Sequence, residues 1–228
     1  YVSAIAHYSR KIFDEAVVDT QTLFARKTNS RNENVIVKVF DGPQSSASHV
    51  ADQNEWAAMA GESINIFMRE EEILLRRQLE HGSVKLGTAV NLVVGMKPYQ
   101  TGKGNPKQTA SDVANRVFDA DMKIDDSYKP LLRGSDIQKY RVSWKGSNWI
   151  KYGAWLAEPR LSANFGAERK IVIRQTGDSL IAALDKEQFV CMNNLHVLTL
   201  KDNTLSLEYI LAIVNSKLMD YYHSLLNR

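Results

Sequence analysis

Short apolar runs with a period of two recur along the chain and predict a structure rich in β-hairpins. Residues 35–40 (VIVKVF) place Val35, Val37 and Val39 on one face, as a strand with one buried side does. With residues 13–27 and a polar turn at 27–34, they predict a first hairpin. Further strands are predicted at 64–68, 86–94, 140–144 paired with 149–152, 170–175 paired with 180–184, and 189–200.

Helical periodicity is confined to a few segments. Residues 69–81 (REEEILLRRQLEH) begin with three glutamates, end with basic residues and precede a glycine, an order that suits the helix dipole and a C-terminal stop. Residues 207–225 carry apolar side chains at i, i+3, i+4 and i+7, with Ser206 as N-cap, and predict one long amphipathic helix. A short helix is predicted after Thr109. Hairpins with few helices and no strand–helix–strand alternation predict an α+β fold.

Residues 1–12 show no clear element pattern, and residues 41–48 are predicted to be a loop. The chain has 228 residues, 44% of them hydrophobic, which is enough for one core or two small ones. It begins at Tyr1 rather than at a methionine, so we expect it to be a piece of a longer protein. No apolar run approaches the about 20 residues of a membrane span. The single cysteine, Cys191, excludes a disulfide framework and favours a reducing compartment, and we expect a cytoplasmic protein.

The positive charge is concentrated in two places. Residues 129–152, the basic stretch, hold six basic residues and one acidic residue, so they carry +5. Residues 97–109, the basic loop, carry +3, while the whole chain is only +3. Aromatic residues alternate with the lysines of the basic stretch, namely Tyr140, Trp144, Trp149 and Tyr152. Focused positive charge steers a polyanion to one face, so double-stranded DNA is the predicted partner.

Catalytic and metal-binding motifs are missing from the sequence. The five histidines do not stand at zinc-ligand spacing, and no metal site is predicted. Gly102-Lys103-Gly104 lacks the rest of a nucleotide-binding loop. Glu168-Arg169-Lys170 fits a nuclease tripeptide but has no accompanying Pro-Asp pair, so we interpret it as a solvated turn. Adenine-N6 methyltransfer needs Asn-Pro-Pro-aromatic, and only Asn105-Pro106 is present. No catalytic residue and no cofactor are predicted for this chain.

Four stretches in order resemble one family. They are 95–109 (GMKPYQTGKGNPKQT), 130–140 (PLLRGSDIQKY) leading to 149–153 (WIKYG), 169–177 (RKIVIRQTG) and 209–222 (YILAIVNSKLMDYY). Together they resemble the TaqI-like C-terminal specificity domain of type IIG restriction–modification enzymes and related adenine methyltransferases. The resemblance implies a target-recognition domain in a parent whose methyltransferase domain binds S-adenosylmethionine and flips an adenine. That methyltransferase domain is the second expected partner.

The resemblance also divides the chain and nominates residues. It implies that 1–12 are a linker or the end of a preceding domain, 13–94 the N-terminal part of the specificity region, and 95–228 the target-recognition domain. The candidates for reading bases are Gln100, Arg133, Lys139, Arg174 and Gln175. The candidates for contacting the DNA backbone are Lys97, Tyr99, Lys103, Lys107, Lys145 and Lys151.

Alternatives remain open for residues and for function. Arg174 could pair with a carboxylate, Arg133 and Asp136 could hold a turn, and the tryptophans could be hairpin core. The whole chain could instead be half of a type I restriction specificity subunit. An alternative of another class is a scaffold module that docks a protein through its basic, aromatic face.

Overall fold

The computed structural model describes residues 1–15, 18, 20–27, 34–58, 64–177 and 179–227. The described residues form several small sheets and a few short helices, without a regular strand–helix–strand repeat. The predicted α+β class is therefore confirmed. The chain forms two compact units, Tyr1–Leu79 with Leu225–Arg228, and Glu80–Ser224.

The first unit is built on a sheet of order β2-β1-β3-β4. Its strands are β1 (Val2–Tyr8), β2 (Thr20–Ala25), β3 (Asn34–Phe40) and β4 (Ser45–Asp52). One face buries Ile5, Val35 and Val37 against Trp56, because the alternating pattern turns every second side chain inward. Among its described residues, this unit contains helix α1 (Gln53–Ala58) and all but the last residue of helix α2 (Glu70–Glu80).

Strand pairing in this unit differs from the sequence prediction. The first hairpin is wrong, because β2 and β3 do not pair with each other and lie on opposite sides of β1. β1 itself forms where no element was predicted, and β4 begins within the predicted loop at 41–48. The predicted turn at 27–34 lies largely outside the described residues. No strand forms at 64–68, whereas the helix predicted at 69–81 is confirmed by α2.

The second unit contains two four-stranded sheets and one two-stranded sheet among its described residues. The strands of the first sheet, in spatial order, are β12 (Ala182–Asp185), β11 (Lys170–Arg174), β14 (Leu195–Leu200) and β5 (Val90–Val94). Those of the second are β13 (Val190–Cys191), β7 (Tyr128–Leu132), β10 (Trp149–Lys151) and β6 (Asp119–Ala120). The small sheet pairs β8 (Ile137–Gln138) with β9 (Arg141–Val142).

The central strands of the first sheet of this unit are buried on both faces. Val172 and Val197 on one face join a core with Leu131 and Ile150 of the second sheet. Ile171 on the other face packs with the apolar side of helix α4 (Leu207–Val214). The remaining helices are α3 (Ala110–Asn115) and α5 (Lys217–Leu226). This packing fixes the strand ends, from which the basic loop and the basic stretch extend.

Local signals were correct for some of these elements. The hairpin of 170–175 with 180–184 is confirmed by the antiparallel pair β11–β12. The predicted helix after Thr109 is confirmed by α3, which Thr109 begins with a capping box to Asp112. Ser206 caps α4 by accepting a hydrogen bond from the Tyr209 amide. The strand predicted at 86–94 begins only at β5, after a 3-10 turn at Leu86–Thr88.

Three predictions in this unit are wrong for one reason, which is pairing with distant residues. The hairpin of 140–144 with 149–152 does not form, because β9 pairs with β8 while β10 pairs with β7 and β6. The long strand at 189–200 is divided into β13, parallel to β7, and β14, antiparallel to β11. The long helix at 207–225 is divided at Asn215, whose side-chain amide bonds the backbone of Ala182 in both directions at 2.9 Å.

Candidate nucleic-acid interface

The basic loop is a fixed structure rather than a flexible connection. The buried amide of Gln108 donates to the carbonyls of Pro98 and Trp155, each at 2.8 Å, and accepts the Gln100 amide N–H at 2.9 Å. Gly104 has a positive φ of 87°, and a Cβ there would lie 2.2 Å from the Trp155 carbonyl oxygen. Only glycine therefore fits this close approach.

Three lysines stand at exposed turns. Lys103 and Lys107 lie on the rim of the basic loop, and Lys145 lies on the turn that contains Gly146. Among the residues that the structure describes, none forms a hydrogen bond or ion pair with these three ammonium groups. An exposed, unpaired ammonium group on a fixed loop suits a contact with a phosphate, which needs charge more than direction.

Two other backbone candidates are already held within the protein. The Lys97 ammonium donates to the side-chain oxygen of Gln100, a base-readout candidate, at 2.8 Å. The Lys151 ammonium lies 5.3 Å from the centre of the Trp155 ring, in a cation–π contact. The structure thus brings Lys97, Gln100 and Lys151 to the same loop, since Trp155 is the residue to which Gln108 anchors it.

Tyr99 is tied to a carboxylate by its hydroxyl. The phenol donates to Asp119 at 2.8 Å and accepts the Phe118 amide N–H at 2.9 Å. Burial and the hydrogen bond to Asp119 both raise the pKa of Tyr99 above its usual range. Asp119 also accepts from Arg116 at 2.8 Å and lies 3.5 Å from the Arg133 guanidinium. Tyr99 therefore orients an arginine–carboxylate cluster through its hydroxyl.

Asn194 connects two of the predicted reading turns. Its side-chain oxygen accepts the Gly134 amide N–H at 3.3 Å, and its backbone carbonyl accepts the Gln175 amide N–H at 3.0 Å. The turn after Arg133 and the turn after Arg174 are thereby held side by side. Within the Arg133 turn, the backbone N–H of Arg133 donates to Asp136 at 2.8 Å, as the turn-holding alternative predicted.

Arg174 and Gln175 lie at the end of β11. Gln175 is exposed, and Arg174 is partly buried. The Nε of Arg174 is buried, and no described residue accepts a hydrogen bond from it. The carboxylate partner that the alternative required is therefore not seen in the described part of the chain. A donor of this kind gains most from an acceptor supplied by a ligand.

Lys139 has a role in the fold. Its ammonium pairs with the Asp220 carboxylate and donates to the Asn215 carbonyl at 3.3 Å. Partial burial of Asp220 acts to raise its pKa, but the hydrogen bonds from Lys139 and from the Leu180 amide outweigh this and leave the pKa lowered. Reading a base with Lys139 would require this contact with α5 to open.

The aromatic residues of the basic stretch are mainly structural. The Trp144 ring lies edge-on to Trp149 and to Phe189, with centroids 5.4 and 5.2 Å away, and packs on the core between the two sheets. The Trp149 indole N–H donates to the Gly146 carbonyl at 2.9 Å. Of the alternatives left open by the sequence, hairpin core describes Trp144, although its partners differ from the predicted hairpin.

One residue of the nuclease-like tripeptide lies in the core. Glu168 and Arg169 are exposed, as a solvated turn requires, but Lys170 is fully buried, so that part of the interpretation is wrong. The Lys170 ammonium donates to the Phe165 and Phe189 carbonyls at 2.9 and 2.8 Å and lies 3.3 Å from Asp185. Burial raises the pKa of Asp185, and Lys170 only partly offsets this.

The second unit therefore presents three exposed lysines at turns, and it holds the Arg133 and Arg174 turns side by side. Comparison with protein families finds a match over part of this unit. Residues 129–228 match the family model of the TaqI-like C-terminal specificity domain. Over these residues, which are fewer than half of the chain, the protein is similar to that family. The resemblance inferred from the sequence is confirmed over this range. No curated protein matches the chain.

The family to which this range is similar suggests a DNA-recognition domain of restriction–modification enzymes. The matched range contains Arg133, Lys139, Lys145, Arg174 and Gln175. The basic loop precedes it and is joined to it by Gln108 and by the paired backbones of Lys97 and Glu158. The loop therefore belongs to the same compact unit as the domain.

Metal binding and membrane spanning were also considered for the described residues. They hold no group of three or more histidine, cysteine or acidic side chains placed to bind a metal ion. None of the helices in the described ranges is both long enough and apolar enough to cross a membrane.

Charge counting did not find several residues that organise this surface. Arg116 and Asp119 lie outside both basic runs, and their charges cancel, so a search for net positive charge passes over them. Asn194 and Gln108 act through backbone groups distant in sequence. A signal for Gln108 existed in its place within the family-like stretch 95–109, but its partner Trp155 could not be named from the sequence.

Proposed function

We propose that this chain recognises a specific sequence in double-stranded DNA and does so for a type IIG-like restriction–modification DNA adenine-N6 methyltransferase. The match of residues 129–228 to the TaqI-like specificity domain is the observation that carries the proposal. The exposed lysines at the turns of the same unit support it, because specificity domains need phosphate contacts to set their register on the duplex.

Recognition would use two kinds of contact. Lys103, Lys107 and Lys145 would neutralise phosphates and supply most of the affinity, which falls as salt rises. Arg133, Arg174 and Gln175 would reach base edges in the major groove, arginine at guanine and glutamine at adenine. The network of Gln108 and Asn194 holds these turns before DNA arrives, so little ordering entropy is lost on binding.

The chemistry would belong to another part of the parent protein. We propose that a methyltransferase domain of the same parent binds S-adenosylmethionine, flips the target adenine and transfers the methyl group. The present chain would be non-catalytic and would place that domain on its site from the other side of the duplex. We also propose that the parent is cytoplasmic, where DNA and S-adenosylmethionine are both available.

The test is selection of duplexes from a random pool by this chain, at low and at moderate salt, followed by sequencing. An enriched motif of a few base pairs that contains an adenine would support the proposal. Binding without enrichment would contradict sequence recognition by this chain alone. If no duplex binds at low salt, docking of a protein on the basic face becomes the better explanation.

A further inference from the structure

Arg116 closes helix α3 in an unusual backbone conformation. Its φ of 48° and ψ of 51° lie in the left-handed region, and its amide N–H donates to the Asp112 carbonyl as the helix C-cap. This position of a helix favours glycine, or asparagine, because a side chain with a Cβ is strained there. Strain of this kind persists only where the surrounding structure holds it in place, and it clusters at functional sites.

The Arg116 guanidinium is held in one orientation. It lies over the Tyr99 ring, 5.0 Å from the ring centre. Its Nε and one terminal nitrogen each lie 2.8 Å from the same Asp119 carboxylate oxygen. The Tyr99 hydroxyl in turn donates to the other Asp119 oxygen, so this hydrogen bond holds the Tyr99 ring and the Asp119 carboxylate in place relative to each other. The result is an arginine fork whose position is set by two neighbours.

The free end of this fork faces no acceptor in the described part of the chain. The Arg116 side chain is 48% exposed, although it is paired on one edge. The second terminal nitrogen accordingly keeps its two N–H donors, and the paired nitrogen keeps one. Two parallel donors at the end of a guanidinium match the O6 and N7 acceptors of guanine.

Charge separates this site from the phosphate-contacting lysines. Asp119 neutralises one positive charge, so Arg116 attracts a polyanion less than Lys103 or Lys107 does. The Arg116 guanidinium is instead held in a defined direction, because a stacked and paired guanidinium has lost most of its rotamers before binding. An oriented donor pair with reduced net charge suits the reading of a base better than the neutralisation of a phosphate.

We propose that Arg116 is a base-reading residue that recognises one guanine in the major groove, with Tyr99 and Asp119 as its positioning residues. This rests on the proposed function, since it assumes that the chain selects a DNA motif. It extends the reading surface from the Arg133 and Arg174 turns to the end of α3, because Arg133 shares the Asp119 carboxylate at 3.5 Å.

The experiment repeats the duplex selection with Arg116→Gly and Arg116→Lys, and measures affinity for the wild-type motif and its single-base variants. The glycine variant relieves the backbone strain, so its melting temperature should equal or exceed that of the wild type. We expect it to lose at least about tenfold of the preference for guanine at one position. The lysine variant should keep the salt dependence and lose most of the same preference, because it lacks the fork.

Two further variants test the positioning roles. Tyr99→Phe removes the hydroxyl that donates to Asp119 and should weaken the same guanine preference, together with any preference read by Arg133, which shares the Asp119 carboxylate, while the rest of the motif stays unchanged. Arg169→Gln is the matched control, since Arg169 is 53% exposed and pairs with Glu208 much as Arg116 pairs with Asp119. It should leave the whole motif unchanged.

Three results would overturn the role of Arg116. An unchanged motif and affinity in the glycine variant would show that the residue does not touch DNA. If the glycine variant lost the same affinity for every sequence, and its slope of log affinity against log salt were smaller by about 0.9, Arg116 would be a phosphate contact. Failure of the wild type to select any motif would instead refute the proposed function, and the reading role would fall with it.

Discussion

Arg174 is a side chain that we propose reads DNA and that we expect to contribute little to the stability of the fold. It ends β11 with a buried Nε that no described residue accepts from. Within the described residues, Arg174→Ala therefore breaks no hydrogen bond of the guanidinium group. The free energy of unfolding should change little. We expect discrimination at one base pair of the selected motif to fall by about 1–3 kcal/mol. Affinities for the motif and its single-base variants provide the measurement.

Arg169→Ala serves as the control for this prediction, because it removes an exposed arginine that is paired with Glu208 on α4. An Arg174 variant that bound every duplex equally less well would identify a backbone or structural residue. An Arg174 variant with a much lower melting temperature would point to a partner within the fold.

Lys170 is the opposite case, a basic residue that serves only the core. Lys170→Met would remove the cation that pairs with the buried Asp185 carboxylate, which would keep only its two backbone N–H donors. It would also remove the ammonium that donates to the Phe165 and Phe189 carbonyls. We expect the free energy of unfolding to fall by about 3–5 kcal/mol, measured by urea denaturation. The adjacent variant Arg169→Met removes an exposed charge and should stay within about 0.5 kcal/mol of the wild type.

The pH dependence of the Lys170 variant is a second readout of the same contact. Burial already raises the pKa of Asp185, and loss of Lys170 would raise it further. A carboxyl group whose pKa is higher in the folded than in the unfolded protein favours folding once it is protonated. The stability deficit should therefore shrink as the pH falls through that raised pKa. A deficit that grew on acidification would contradict the assignment.

At the scale of elements, the sequence predicts those helices and strands that local signals determine, and it fails where a distant partner determines the structure. Helices α2 and α3 were predicted correctly because their caps and charges lie within one or two turns of their own ends. The break between α4 and α5 was missed because Asn215 bonds Ala182, 33 residues away. A period of two likewise identified β10 as a strand but could not show that β7, rather than β9, pairs with it.

The same division applies to the candidate site. Net charge pointed to Lys103, Lys107 and Lys145, because exposed lysines are visible as an excess of positive residues, and the structure places all three at exposed turns. Charge could not show that Lys139 pairs with Asp220, which lies 81 residues further on. It also could not reveal Arg116, whose charge is balanced by Asp119 within the same turn of chain.

Asn215 carries the element-scale prediction. β12 is the edge of its sheet, and the Asn215 amide both donates to and accepts from Ala182, as the next strand would. Asn215→Ala leaves the buried Ala182 N–H without its acceptor. The Ala182 carbonyl still accepts a hydrogen bond from the Tyr140 amide N–H. We expect the free energy of unfolding to fall by about 1–3 kcal/mol, measured by chemical denaturation.

The control for this prediction is Asn193→Ala, which removes an exposed amide from the turn between β13 and β14. It should leave the free energy of unfolding within about 0.5 kcal/mol of the wild type. The selected DNA motif should persist in the Asn215 variant, because Asn215 contacts the fold rather than the reading turns. Equal stability of the two variants would show that the amide is not needed at the sheet edge.

At the scale of the whole molecule, the distribution of charge matters more than its sum. The chain carries only +3, yet the basic stretch and the basic loop together carry +8, so the remainder is acidic. If net charge alone attracted DNA, the position of a lysine would not matter. If the basic face is the footprint, the salt dependence of binding should follow only the lysines that lie on it.

The double variant Lys103→Ala, Lys107→Ala tests this distinction. We expect weaker binding to all duplexes and a slope of log affinity against log salt that is smaller by about 1.8, since each phosphate contact contributes about 0.9. The control, Lys85→Ala with Lys201→Ala, removes the same charge at the far end of the paired strands β5 and β14. Its slope should match the wild type. Equal slopes for the two double variants would show that DNA responds to net charge, and the basic loop would lose its role in binding.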